Sequence, residues 1–119
     1  MRYPIEPVAK PRMTQRDKWK KRPCVLRYRA FKDQCRVRRV KLPQPCRVVF
    51  HMPMPRSWTE SERSAFDGLP HTQRPDLDNL VKALGDAVCK EDSHLWSIRA
   101  EKRWAYHGAI EIVAMKEET

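Results

Sequence analysis

The most regular alternation of apolar and polar positions in the chain runs from residue 77 to residue 88. Leu77, Leu80, Val81, Leu84 and Val88 recur at the three- and four-residue steps of one helix face. Charged residues follow one another at steps of four along a neighbouring face: Asp78, Lys82 and Asp86. The pattern predicts an amphipathic helix whose apolar stripe packs on a core.

A second helical pattern covers about residues 26–40, with the sequence LRYRAFKDQCRVRRV. Tyr28, Phe31 and Cys35 share one stripe. The positions outside that stripe are mostly basic: Arg27, Arg29, Lys32, Arg36 and Arg39. This segment therefore predicts an amphipathic helix with a basic outer face.

Strand patterns occupy other parts of the chain. Residues 46–55, CRVVFHMPMP, favour a strand until the prolines end it. Residues 94–104 and 108–115, joined by AYH, predict an antiparallel hairpin. The proline-containing opening, residues 1–13, fits either an edge strand or an extended arm.

A short helix is predicted over residues 57–68. Ser57 with Glu60, or Thr59 with Glu62, can form a capping box, and Gly68 is a suitable stop. Together the elements predict one α+β domain over residues 1–119, with a mixed sheet of about four strands and two main helices packed on one face.

Charge indicates the partner of this domain. Lys and Arg total 25 against 15 Asp and Glu, a formal charge of +10, which favours a polyanion such as nucleic acid. A basic arm at about residues 10–24 interleaves cations with an aromatic side chain that can stack on a base, although a solvated arm remains the alternative. The arm supplies most of the candidate nucleic-acid ligands: Lys10, Arg12, Arg16, Lys18, Trp19, Lys20, Lys21 and Arg22, with Arg74 added from the segment before the helix at residue 77.

Other partners and cofactors are less favoured by the sequence. No apolar run approaches the length of a membrane span and no signal peptide pattern opens the chain, so we expect a cytoplasmic protein with no membrane partner. The four cysteines and four histidines are scattered, which favours reduced thiols over a zinc site or a disulfide framework.

The acids at the start of the predicted helix have two explanations. Asp76 after a proline is a favoured N-cap, Asp78 suits the helix dipole, and Lys82 is an ordinary i, i+4 partner. That account does not explain Glu91 and Asp92, which follow the end of the helix, where the dipole disfavours negative charge. The alternative is a divalent metal held by carboxylates, with Lys82 directed at a substrate phosphate.

The segment RPDLDNLVKALGDAV, followed by EDSHLW, resembles the core of the RusA family of Holliday-junction endonucleases, as found in phages and prophages. The motif is D-x-D-N, a lysine four residues after the second Asp, and a downstream acidic pair. The match is specific over residues 74–96 and looser over the remaining chain. By position, the resemblance makes Asp76, Asp78 and Asp92 metal ligands and Lys82 the catalytic lysine, within a catalytic core of about residues 71–104. The connection between Val88 and Glu91 is shorter than in the best-known members, so Glu91 stays an alternative to Asp92.

The resemblance implies a mixed α/β fold, a homodimer, dependence on Mg²⁺ or Mn²⁺ with no small-molecule cofactor, and paired symmetric nicks in four-way DNA junctions. Two-fold symmetry of the protein would match two opposed strands of the junction. The sequence is also compatible with two other functions: a basic nucleic-acid-binding protein without catalysis, and a nuclease that cuts a broader range of branched DNA.

Overall fold

The computed structural model describes residues 1–12, 22–89 and 91–116, and for Asp92 the backbone alone. Within these ranges the elements follow one another in this order: β1 (Arg2–Tyr3), α1 (Pro23–Val37), β2 (Cys46–Pro53), α2 (Glu60–Phe66), α3 (Leu77–Val88), β3 (Ile98–Ala105) and β4 (Ala109–Ala114). A 3₁₀ turn, Asp92–His94, lies between α3 and β3. The predicted order of strands and helices is confirmed.

The four strands form one mixed sheet in the order β1-β4-β2-β3. Strand β2 pairs in parallel with β3 and antiparallel with β4, and the short β1 pairs antiparallel with β4 at the edge. In this register Phe50 lies opposite both Lys102 and Ile110. The predicted α+β class with a mixed sheet is confirmed, and of the two alternatives for the opening segment an edge strand forms at Arg2–Tyr3.

The predicted hairpin of β3 and β4 is wrong. The two strands run in opposite directions, but β2 lies between them and pairs with both. The physical reason is the nearly continuous buried run of β2, which includes Val48, Val49, Phe50 and Met52. A strand with this much buried surface is favoured in the interior of the sheet, where both of its edges are paired, and a β3–β4 hairpin would have left β2 at the margin of the sheet.

Helices α1 and α3 supply the other half of the core. The predicted stripe of α1 is buried at Tyr28, Phe31 and Cys35, and Leu80 and Leu84 of α3 are fully buried. These side chains pack with alternate residues of β2 and β4 in one cluster, so both main helices cover the same face of the sheet. No helix in the described ranges is long and apolar enough to cross a membrane.

The short helix α2 has the predicted cap. The Thr59 hydroxyl accepts a hydrogen bond from the backbone N–H of Glu62, and the Glu62 carboxylate accepts one from the backbone N–H of Thr59. Gly68 follows the helix with a φ of 82°, a left-handed conformation that favours glycine. The choice between two possible capping boxes is thus decided for Thr59 and Glu62.

Candidate active site

Asp76 and Asp78 lie at the start of α3. Asp76 occupies the N-cap position and Asp78 the first turn, and both side chains are exposed. Helix α3 is held in one rotational position because Leu80, Ala83 and Leu84 are fully buried. The two carboxylates are therefore presented to solvent by a helix that cannot turn about its axis without exposing its apolar stripe.

These acids do not make the side-chain cap or the ion pair that would give them a purely structural role. The Asp76 side chain makes no capping hydrogen bond; only its backbone carbonyl accepts, from the N–H groups of Asn79 and Leu80 at 3.2 Å each. Lys82 is exposed and forms no ion pair with Asp78 within the described part of the chain. Both carboxylates consequently keep their oxygens available.

The donor atoms at this position suit a hard divalent cation. Asp76, Asn79, Arg74 and Pro75 line a recess of about 520 Å³ beside the first turn. Carboxylate and amide oxygens are the ligands that Mg²⁺ and Mn²⁺ prefer, and the positive end of the helix dipole offsets part of the repulsion between two adjacent acids. Among the side chains that the structure describes, no three His, Cys, Asp or Glu residues are grouped closely enough to hold a metal.

The third predicted ligand lies beyond the other end of the helix. The turn Asp92–His94 follows the C-terminal end of α3, which with 12 residues is about 18 Å long. The chain then reaches the start of β3, where the N–H of Ser97 donates to the Gln44 side chain at 3.1 Å. Asp78 and the Asp92 backbone thus lie at opposite ends of α3. The alternative ligand, Glu91, accepts a hydrogen bond from Ser93 within its own turn at 3.4 Å.

Lys102 is a site residue that the sequence analysis missed. It lies on the helix-covered face of β3, and its ammonium donates to the carbonyl of Pro75 at 2.7 Å and to that of Gln73. These bonds hold the segment that enters α3 immediately before Asp76. The signal that could have identified it is a lysine at a strand position whose side chain points toward the core.

His71 was also missed as part of this region. Its side chain is 5% exposed, its ring centroid is 4.2 Å from that of Trp104, and its Nδ1 has no hydrogen-bond partner among the described residues. Burial and the positive charge of Lys102 lower the pKa of His71. The His71 imidazole therefore packs against Trp104, next to the strand that carries Lys102, and no feature of the local sequence indicates this.

The basic arm is anchored next to α3. The backbone N–H of Lys10 donates to the carbonyl of Asn79 at 3.2 Å, and the Lys10 ammonium is 2.6 Å from the Asp86 carboxylate, which also accepts from the Tyr28 hydroxyl at 3.0 Å. Since Asp86 balances its charge, Lys10 acts first as an anchor between the arm and α3.

The two described ends of the arm meet. Arg22 donates to the backbone carbonyl of Arg12 at 2.8 Å, so the chain on either side of residues 13–21 converges at one place. The other predicted ligands of the arm lie outside the described residues: Arg16, Lys18, Trp19, Lys20 and Lys21. Arg74 is described, exposed, and lines the same recess as Asp76.

Fold and site together define a basic α+β domain with an exposed acidic pair at a helix start, the charge arrangement of a nuclease. The family model of endodeoxyribonuclease RusA matches residues 4–114, and the chain belongs to that family. It is therefore a member of a Holliday-junction endonuclease family of DNA recombination. No match was found among curated proteins.

The contacts of Asp86 with Lys10 and Tyr28 predict a specific dependence of stability on pH. Burial raises the pKa of Asp86, but the hydrogen bonds from Lys10 and Tyr28 and the charges of Lys10 and Lys32 outweigh it, so the pKa lies below its ordinary value of 3.8. A lowered pKa contributes stability above the ordinary value, which is lost as pH falls through the folded-state value. Asp86→Asn should therefore lower the free energy of unfolding by about 1–2 kcal/mol near neutral pH, and the two proteins should converge in acid.

Urea unfolding of both proteins near neutral pH and well below pH 3.8 checks this expectation. Asp33→Asn is the matched control, because that carboxylate pairs with Arg36 at the surface, where both side chains are mostly exposed, and should change stability little at either pH. A gap for Asp86→Asn that persists in acid would show that its effect does not arise from charge.

Proposed function

We propose that this chain is a divalent-metal-dependent endonuclease that resolves four-way DNA junctions by paired symmetric nicks, acting as a homodimer. The observation that carries the proposal is the pair Asp76 and Asp78, two adjacent exposed carboxylates that neither cap their helix nor pair with Lys82. In a protein of formal charge +10, such a pair repels DNA until a cation neutralises it. Membership in the RusA family supports the substrate class.

Each residue of the site has a distinct role in this proposal. Asp76 and Asp78 would hold Mg²⁺ or Mn²⁺, which when bound polarises a phosphate and lowers the pKa of a water. Lys82, one turn further along the exposed side of α3, would stabilise negative charge on the attacked phosphate. Arg74, at the recess, would bind a neighbouring phosphate and orient the strand.

Lys102 would act as a positioning residue for the metal ligands. Its ammonium holds the carbonyls of Gln73 and Pro75, so the backbone that carries Asp76 is fixed before any ligand arrives. Metal sites need ligands within a few tenths of an ångström of the preferred geometry. A half-buried lysine bound to two backbone oxygens supplies that rigidity from the sheet side.

The basic arm would hold the DNA on the same side of the molecule. Its stem is anchored to the first turn of α3 through Lys10 and Asn79, and its described ends meet at Arg12 and Arg22. Arg12 and Arg22 would thus be held within reach of a strand that lies across Asp76. Phosphate contacts of this kind position the substrate and do not read its sequence.

The homodimer would complete the metal site. Asp92 follows the C-terminal end of α3, and that end is about 15 Å along the helix axis from Asp78, so a partner subunit would be better placed than the same chain to bring this carboxylate to the first turn. A two-fold interface is reciprocal, and each protomer would therefore complete the site of the other. This arrangement would couple metal binding to dimerisation.

Asp78→Asn is expected to abolish junction cleavage and to preserve or strengthen junction binding, because the change removes a metal ligand and a charge that repels phosphate. Cleavage of a labelled synthetic junction with Mg²⁺, and binding of the same junction without metal, are the two measurements. Asp67→Asn, which removes an equal charge from the exposed C-cap position of α2, should retain cleavage. Near-normal nicking by a folded Asp78→Asn protein would contradict the assignment of this metal ligand.

Lys82→Ala should slow cleavage by about two orders of magnitude or more with little change in stability, because its side chain is exposed and lies near the proposed phosphate. Lys82→Arg should restore activity only in part, since a planar guanidinium does not reproduce a compact ammonium. Single-turnover rates at saturating protein measure the effect without the contribution of binding. Lys41→Ala, another exposed lysine, is the control; equal rates for all four proteins would reduce Lys82 to a surface residue.

A shared metal site predicts complementation between two inactive variants. Asp78→Asn and Asp92→Asn should each be inactive alone. In a dimer with one protomer of each kind, one site would combine the intact Asp78 of one chain with the intact Asp92 of the other. The mixture should therefore nick one strand of the junction without resolving it, after subunit exchange. Absence of any nicking by a mixture whose heterodimers are verified by mass would place Asp92 in the site of its own protomer.

A further inference from the structure

A groove lies between the outer face of α1 and the last turn of α3, away from the acidic site. It has a volume of about 800 Å³. Four exposed cations line it: Arg29, Lys32, Arg36 and Arg39. From Arg29 to Arg36 they extend along about 10 Å of helix, the axial length of three successive base pairs.

The carboxylates in the groove cancel only part of these charges. Asp33 lies 2.9 Å from Arg36, and Asp86 is already paired with Lys10 at 2.6 Å. Arg29, Lys32 and Arg39 make no ion pair with any described residue. The groove therefore presents a net positive surface to solvent.

Arg39 occupies a backbone position that suits glycine better than arginine. Its φ is 53°, in the left-handed region, directly after the end of α1. The N–H of Val40 donates to the carbonyl of Cys35 at 3.0 Å, the hydrogen bond of a Schellman motif, in which this position is usually glycine. Backbone stability alone would not select arginine at this position, so its side chain needs another reason.

The helix dipole offers only part of that reason. Cations at the end of α1 are favoured by the dipole, and Arg36 lies in the last turn. Arg29, however, lies in the middle of the helix and faces the same groove. Arg38, which has an unstrained φ of −85°, would interact with the dipole as favourably as Arg39 does. The convergence of the four cations on one groove is thus unexplained by helix stability.

We propose that this groove binds the phosphodiester backbone of a DNA duplex arm, as a second contact surface separate from the acidic site. The groove lies at the last turn of α3, whereas Asp76 and Asp78 lie at its first turn. Charge complementarity and the absence of acids free to repel phosphate among the described residues of the groove favour a polyanion there. The proposal rests on the proposed function for its substrate, a branched DNA whose arms extend beyond the cut.

Arg39→Gly tests the proposal because stability and binding should respond in opposite senses. Glycine suits the left-handed position, so the variant should melt no lower than the wild type. Metal-free binding to a duplex and to a four-way junction should nevertheless weaken several-fold. The slope of log K against log salt should fall by about 0.9 for each phosphate that the variant no longer binds, and by about 2 to 3 when Arg29→Gln and Arg36→Gln are added.

Arg99→Gln is the matched control, since Arg99 is exposed on β3, on the face of the sheet opposite α1 and α3. It should leave the salt slope unchanged. Wild-type affinity and salt slope in the folded triple variant would overturn the groove proposal, whether or not the wild type cuts junctions. Conversely, a wild type that binds but never cuts would overturn the proposed nuclease function and leave the groove result intact.

Discussion

The burial of one side of α3 is the constraint on which the remaining features depend. Leu80, Ala83 and Leu84 have no exposed surface, and they pack with Phe31 of α1 and Phe50 of β2 in the same core. Rotation of the helix by one residue would place an aspartate or a lysine in that core, at a cost of several kcal/mol. The exposure of Asp78 and Lys82 is therefore a consequence of core packing. Asp86 falls at the edge of the core, where it needs Lys10 and Tyr28 as partners.

That edge position links the acidic site to the basic arm. An unpaired half-buried carboxylate is unfavourable, and the nearest compensation comes from the stem of the arm. Once Lys10 is bound to Asp86, its backbone N–H also reaches the carbonyl of Asn79 in the first turn. Two segments that lie far apart in sequence and carry opposite charge are thereby held side by side. The proposed site, which would attract phosphate and also hold a cation, would require this proximity.

The sequence predicted the elements better than their arrangement. Helix α3, the buried stripe of α1 and the capping box of α2 follow from local spacing, because helical periodicity and caps involve residues within a few positions of one another. The insertion of β2 between β3 and β4 does not, since strand order depends on which strand can be covered on both edges. The continuous apolar run of β2 was the available signal. The bond from Lys102 to Pro75 and the pairing of Lys10 with Asp86 cross long stretches of sequence, so a local pattern can mark Lys102 as unusual but cannot indicate the partner of either lysine.

The placement of charge along α3 bears on how the molecule would assemble. The acidic pair lies at the first turn, where the dipole favours it, whereas the cationic groove and the turn of Asp92 lie at the opposite end. If Asp92 of one protomer meets the first turn of its partner, symmetry requires the reverse contact as well. Both ends of α3 would then belong to one continuous surface, with the groove of each protomer beside the acidic site of the other. Repulsion between the carboxylates would oppose that contact until a cation is bound, and the flanking arginines would reduce this repulsion. Metal binding, dimerisation and DNA binding would thus favour one another because each supplies the charge that the others require.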